Sequence, residues 1–187
     1  RHHTPGVDPL RAADRQCRGH VLIVDGYIPT PDRDSGSADM LNMIRILLDL
    51  GYRVHFLPVA DMTFSPRYTR DLQRLGVHCI YAPFYADAKD FIRRNRQSFD
   101  IVILCRKKYA GKVMDRVQAA FPSAKTLFYT VDLHFLRELR KYSISKNPKD
   151  RAKALKSFNT EKRLMQEVDA TIVLSEKEQR LLLFIGF

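Results

Sequence analysis

The 187-residue sequence lacks several features that mark well-defined classes of protein. It has no apolar run of the roughly 18 residues that a membrane-spanning helix needs, and its N-terminus lacks a signal-peptide core. Its three cysteines have no metal-ligand spacing, and two of them fall in strand-like runs, which predicts reduced core thiols. These absences favour a cytoplasmic protein and give no reason to expect a metal site.

Sequence motifs for several enzyme classes are also missing. A dinucleotide-binding turn needs G-x-G-x-x-G, whereas the stretch after the first predicted strand contains only Gly26 and Gly36. The chain has no G-x-x-x-x-G-K-[ST] for nucleotide hydrolysis and no G-x-S-x-G for an acyl-enzyme. An NAD or FAD enzyme, a P-loop NTPase and a serine hydrolase are therefore not predicted.

Short apolar runs alternate with amphipathic stretches of helix length along the whole chain. Because the runs are apolar on both faces, they predict a parallel sheet that helices cover on both sides. We therefore predict an α/β fold, a Rossmann-like doubly wound sheet of about six or seven mainly parallel strands. The predicted strands are 20–25, 52–57, 77–81, 100–105, 125–130 and 170–174.

Length and composition predict a single domain. A chain of this length, 45% hydrophobic, can bury one core and is too short for two domains of ordinary size. Residues 1–18 are polar, contain two prolines and show no periodicity, which predicts a flexible lead-in. The Rossmann-like domain is expected over residues 19–187.

The carboxyl ends of the strands predict where a ligand binds, because open α/β sheets hold their ligands at this edge. The first strand ends at Asp25, and a loop leads to a predicted helix over 38–50, which Ser35 or Ser37 can cap. The unpaired amides at such a helix start can hold an anion. Residues that follow the other strands are expected to lie along the same carboxyl edge of the sheet, which we call the rim.

Charge favours anionic partners, since the formal net charge is +11. Residues 137–163 contain ten lysines and arginines against three acidic residues. This stretch predicts either a solvated helix face or attraction to an anionic inner membrane surface. Nucleic acid is not expected as a partner, because the aromatic residues mostly lie in apolar runs rather than among these cations.

Three segments resemble the N-terminal half of bacterial glycosyltransferases of the GT-B fold, in the family-4-like group 1 that builds surface polysaccharides. The similarity spans residues 20–182, and P-x-x-D-R-D-x-G-S together with T-V-D-L-H at the strand ends carries it. The segments are HVLIVDGYIPTPDRDSGSADMLNMIRILLDLGYRVHFLP (20–58), TVDLHFLRELR (130–140) and VDATIVLSEKEQRLL (168–182).

This resemblance implies transfer of a sugar from a nucleotide-sugar donor to a glycan or lipid-linked acceptor, with retention of configuration and without a metal or other cofactor. It also implies a second, donor-binding domain that is absent from this chain. The polypeptide is therefore expected to be the acceptor-side half of a longer enzyme, located in the cytoplasm or at the inner membrane, and inactive by itself.

The resemblance and the strand ends together name eight candidate site residues, and none of them is assigned as catalytic. Donor or phosphate contacts are expected from the first loop and helix start, at Arg33, Ser35, Gly36 and Ser37. Sugar or acceptor contacts are expected after the fourth and fifth strands, at Arg106, Lys107, Asp132 and His134. For each, an ordinary structural role, such as helix capping or solvent exposure, stays open.

Two functions of other classes stay open as well. A non-catalytic Rossmann-like module would use the same sheet edge to bind a nucleotide or phosphorylated ligand. A nucleic-acid binder is favoured by the net charge alone.

Overall fold

The computed structural model describes residues 17–95 and 99–186. They form a six-stranded parallel sheet with the strand order β3-β2-β1-β4-β5-β6. This is the doubly wound Rossmann-like order, and it confirms the predicted fold class. The strands are β1 (Gly19–Asp25), β2 (Tyr52–Pro58), β3 (His78–Cys79), β4 (Ile101–Cys105), β5 (Lys125–Tyr129) and β6 (Ala170–Ile172).

Helices connect consecutive strands, as right-handed crossovers of a parallel sheet require. The predicted break in the long connection between β5 and β6 is confirmed, since Asn147 caps one helix and Pro148 opens it. The helices are α1 (Ser35–Asp49), α2 (Tyr68–Arg74), α3 (Ala88–Arg94), α4 (Lys107–Ala120), α5 (His134–Ser145), α6 (Pro148–Glu167) and α7 (Glu176–Phe184).

Both faces of the central strand β1 are buried, which explains its unbroken apolar run. Leu22 and Val24 join the cluster that α3, α4 and α6 cover, whereas Val21 and Ile23 join the cluster under α1 and α2. A fully buried side chain of this kind stabilises the fold by about 1.5–3 kcal/mol relative to exposure. The sheet therefore gives its carboxyl edge a rigid support.

Three histidines, one in each of the strands β1, β2 and β3, lie close together in the structure. His20 Nδ1 lies 3.1 Å from His55 Nε2, and the rings of His55 and His78 are 4.9 Å apart. They meet because β1, β2 and β3 are neighbours in the sheet. Within residues 17–95 and 99–186, no group of three or more His, Cys, Asp or Glu side chains is placed to hold a metal ion.

Of the lead-in predicted over 1–18, residues 1–16 lie outside the described ranges. No helix in the described part of the chain has the length and apolarity to cross a membrane.

Candidate functional site

The order of the strands reverses between β1 and β4, the two central strands of the sheet. Chain connections leave this point on opposite faces, which opens a crevice at the carboxyl ends. Asp25 is the last residue of β1, and Arg106 follows β4 directly. The structure thus brings a carboxylate and a guanidinium to the position where Rossmann-like sheets bind their ligands.

Asp25 and Arg106 form an ion pair between Oδ2 and Nη1. The pair lies at the point where the strand order reverses, which we call the switch point. The backbone amide of Gly26 donates to the other carboxylate oxygen over 2.6 Å. Burial raises the pKa of Asp25, whose side chain is only 2% exposed, although the charge of Arg106 opposes this shift. Burial lowers the pKa of Arg106 but Asp25 outweighs it, so the guanidinium stays charged and is held in one place.

Gly36 allows the start of α1 to approach this guanidinium. A Cβ atom at position 36 would lie 3.0 Å from Nη2 of Arg106 and 3.0 Å from Cγ1 of Val131. Because real Cβ contacts are rarely this close, a larger residue would push the helix start away from both neighbours. The first loop, the end of β4 and the loop after β5 therefore meet at one point.

The two neighbours of Gly36 have strained backbones. Arg106 has φ of +57° and Val131 has φ of +59°, in the region that side-chain-bearing residues rarely adopt. The conformation is especially unfavourable for a β-branched residue such as Val131. Such strain tends to collect at binding and catalytic sites, where the surrounding structure imposes it.

Asp34 caps α1, in place of the predicted Ser35 or Ser37. Its carboxylate accepts from the Ser37 amide over 2.8 Å and from the Ser37 hydroxyl over 2.6 Å. Burial raises the pKa of Asp34, but the hydrogen bonds from Ser37 outweigh this effect and the net pKa is lowered. The amides of Ser35 and Gly36 lie in the first helical turn and donate to no acceptor among the described residues.

Arg33 lies on the other side of the first loop. Its guanidinium stacks on the ring of Tyr68, 5.6 Å from the centroid, and the neighbouring Asp32 pairs with Arg67 over 3.0 Å. These contacts direct Arg33 toward α2. Of the four residues predicted to hold donor or phosphate, Ser35 and Gly36 therefore keep unbonded amides in the first turn, whereas Ser37 donates its amide and hydroxyl to Asp34.

Lys107 follows Arg106 in sequence but belongs to a second cluster, at the base of the α5–α6 hairpin. Its ammonium group donates to the Ser157 hydroxyl, which donates in turn to the carboxylate of Glu138. Ser157 and Glu138 are 4% and 7% exposed, so this chain of polar groups runs through the interior. Lys153 adds an outer contact to Glu138 over 3.4 Å.

The start of α5 is capped by Glu161, which lies on α6 and is 1% exposed. Its two carboxylate oxygens accept from the amides of His134 and Phe135, each over 2.9 Å. Burial raises the pKa of Glu161, and these two hydrogen bonds work against the shift. The buried carboxylate therefore satisfies two amides that the helix itself leaves unpaired.

The imidazole of His134 is oriented by its own loop. Nδ1 lies 2.9 Å from the carbonyl oxygen of Asp132, which can only accept, so Nδ1 carries the hydrogen and Nε2 is left as an acceptor. Burial is the main cause that lowers the pKa of His134. The carboxylate of Asp132 pairs with Arg137. His134 is therefore a neutral, partly exposed acceptor near the rim.

Three buried polar residues of the hairpin were not predicted from the sequence, namely Glu138, Ser157 and Glu161. Glu161 had a detectable signal, because it lies three residues after Phe158 and three before Leu164, within the apolar stripe of its helix. Ser157 and Glu138 had none, since their pairing with Lys107 joins three elements that are far apart in the sequence.

Comparisons with known proteins do not assign the chain to a family. No family model matches it, and no curated protein matches it. Among solved structures it is similar to the TrkA-N domain of the inner membrane protein ybaL from Escherichia coli, at 13% sequence identity and a TM-score of 0.43. That alignment covers 90% of this chain and 96% of the other. A sequence identity and a TM-score this low support no conclusion about the function of this chain.

The predicted membership of the GT-B glycosyltransferases is wrong by these comparisons. No family model supports it, and the solved structure found is a TrkA-N domain. The motifs that carried the resemblance also have structural roles, since Asp34 caps α1, Arg33 stacks on Tyr68 and Asp132 pairs with Arg137. Residues with such roles recur in unrelated sheets, because every helix start needs a cap.

Proposed function

We propose that this domain is a binding module for a nucleotide or another phosphorylated ligand, which it holds at the carboxyl edge between β1 and β4. The observation that carries the proposal is the contact between Arg106 and the first turn of α1. The buried Asp25 anchors the guanidinium of Arg106. Because residue 36 is a glycine, the first turn approaches so closely that a Cβ atom there would lie 3.0 Å from Arg106 Nη2.

The chemistry of this contact suits a phosphate group. A guanidinium and two free first-turn amides offer donors to an anion, and the helix dipole adds to their attraction. Ser35 is exposed and Gly36 is half-buried. The strained backbones of Arg106 and Val131 support the same location.

The acidic residues of the first loop would oppose an anion if their charges were free. Asp32 is paired with Arg67, and Asp34 accepts from Ser37 and from Thr30 over 3.3 Å. Their remaining charge favours a ligand with few phosphates and with hydroxyl groups that can donate to Asp34. A nucleoside phosphate has both features, so ADP is a suitable first probe.

Gly36→Ala tests the proposal with a displacement confined to the start of α1. Alanine suits a helix start, but its methyl group would crowd Arg106 Nη2 and block the approach to the free amides. We expect ADP to shift the amide NMR signals of Gly36, Arg106 and Val131 in the unmodified chain. Calorimetry should show about tenfold weaker ADP binding to the variant, because a charge-assisted hydrogen bond is lost.

Gly111→Ala is the matched control. It also introduces a methyl group into a helix, but the nearest atom to its Cβ would be Cγ2 of Thr160 at an ordinary 3.8 Å. This control should bind ADP like the unmodified protein. The proposal fails if millimolar ADP and pyrophosphate leave the three amide signals unchanged, or if the two alanine variants bind ADP equally well.

A further inference from the structure

The α5–α6 hairpin carries the ten cations counted between residues 137 and 163, and the structure divides them into two sets. Four are ion-paired within the domain: Arg137 with Asp132, Lys141 with Asp150, Lys153 with Glu138, and Arg163 with Asp115 and Glu167. The other six form no ion pair with any described residue: Arg140, Lys146, Lys149, Arg151, Lys156 and Lys162. Their charge is therefore available to an external partner.

Four of these six available cations surround the turn between the two helices. We define the hairpin tip as residues 140–151, which include Arg140, Lys146, Lys149 and Arg151. Within the tip, five cations and one acid leave a net charge of +4. The base of the hairpin is held by buried Glu161 and Ser157, so the tip extends from a fixed support.

An aliphatic side chain lies among these cations. Ile144 is 86% exposed, more than any other leucine or isoleucine in the described ranges. It precedes the end of α5, where Lys146 adopts the left-handed conformation that turns the chain into α6. None of the described residues covers this side chain, so its apolar surface is available to a partner.

We propose that the hairpin tip docks on a lipid bilayer that contains anionic lipids. The cations would contact the headgroups, and Ile144 would enter the boundary between headgroups and acyl chains. Basic side chains around a protruding aliphatic residue are the arrangement that interfacial binding requires. Binding of a single-stranded nucleic acid relies on aromatic side chains for stacking, but Tyr142, the aromatic residue of the tip, is half-buried.

Co-sedimentation with vesicles tests the charge requirement. The full chain should bind vesicles of phosphatidylserine in phosphatidylcholine, bind pure phosphatidylcholine weakly, and lose affinity as salt is added. Arg140→Ser with Lys149→Ser should weaken binding about 25-fold, or about fivefold for each charge removed. Lys112→Ser, which removes an exposed cation on α4, is the control and should leave binding nearly unchanged.

Ile144→Ser separates a bilayer from other polyanions, because it leaves every charge in place. We expect roughly tenfold weaker vesicle binding, whereas Ile46→Ser, at a 59% exposed position on α1, should have no effect. A melting curve by circular dichroism checks that each variant folds. Equal binding to both vesicle types would overturn the proposal. So would full vesicle binding by Ile144→Ser, or tighter binding to a single-stranded DNA oligonucleotide that Ile144→Ser does not weaken.

Discussion

Arg106 and Lys107 are consecutive in sequence, yet their side chains belong to two different parts of the sheet edge. Arg106 reaches back across the sheet to Asp25 and the start of α1, whereas Lys107 reaches the α5–α6 hairpin through Ser157. In both parts a basic side chain meets buried acidic groups. The first part is held by a direct ion pair, and the second by a chain of hydrogen bonds that includes a hydroxyl.

The two parts differ in how many of their polar groups are left without a partner and so could bind a ligand. At the switch point, Arg106 Nη2 lies close to the start of α1, and the amides of Ser35 and Gly36 there donate to no described acceptor. In the hairpin, Lys107 and Glu138 use their polar atoms on each other through Ser157, and Glu161 uses both oxygens on α5. We infer that the first part serves binding and the second serves assembly.

The largest effect expected on this comparison comes from Arg106→Met. It leaves the carboxylate of Asp25 buried without its cation, which should cost about 3 kcal/mol of unfolding free energy in urea denaturation. Since burial already raises the pKa of Asp25, the loss should be greatest at neutral pH and shrink as falling pH protonates this carboxyl. Adding Asp25→Asn should restore most of the stability. An additive double variant would contradict a direct pair.

Glu161→Ala should have the next largest effect, in the hairpin. It leaves the amides of His134 and Phe135 without their acceptor in a buried setting, which should cost about 2 kcal/mol. Glu161→Gln keeps one acceptor oxygen, so its stability should lie between that of Glu161→Ala and that of the unmodified protein. Glu167→Ala, at an exposed position paired with Arg163, is the control and should change stability by less than about 0.5 kcal/mol. Equal urea midpoints for the two alanine variants would refute the capping role.

The smallest effect is a pH dependence at His134. Burial lowers the pKa of this imidazole in the folded state, so its contribution to stability is complete above about 6.5. As pH falls below that value, the unfolded chain takes up the proton more readily and this contribution is lost. NMR titration of the His134 ring should give a midpoint below 6.5. His134→Asn should flatten the stability curve over the same range, and a midpoint at or above 6.5 would be inconsistent with burial.

Sequence reasoning was most successful where the deciding interactions are local. The six apolar runs predicted all six strands, and the break at Asn147 and Pro148 follows from proline and capping chemistry alone. It erred at α1 by naming serines as caps, although Asp34 stands three residues before Ser37 at the spacing a cap needs. The roles predicted for Arg106, Gly36 and His134 in ligand binding stay predictions.

Other features of the site lay beyond any local pattern. Nothing near Arg106 in the sequence says that its partner is Asp25, 81 positions earlier, or that Gly36 must be small for the sake of that arginine. The histidines of β1, β2 and β3 met because their strands are neighbours. Family membership was inferred from motif residues that prove to serve capping and pairing, and such residues identify helix starts rather than families.

By itself, the sequence determined the kind and order of its elements, because the apolarity of the short runs and the periodicity of the helices are properties of neighbouring residues. It also determined the basic charge of the hairpin. The tertiary structure alone decided which groups remain free at the rim and at the hairpin tip. A charged side chain pairs with whichever buried group the packing brings within hydrogen-bond distance. That packing is set by contacts between residues far apart in the chain.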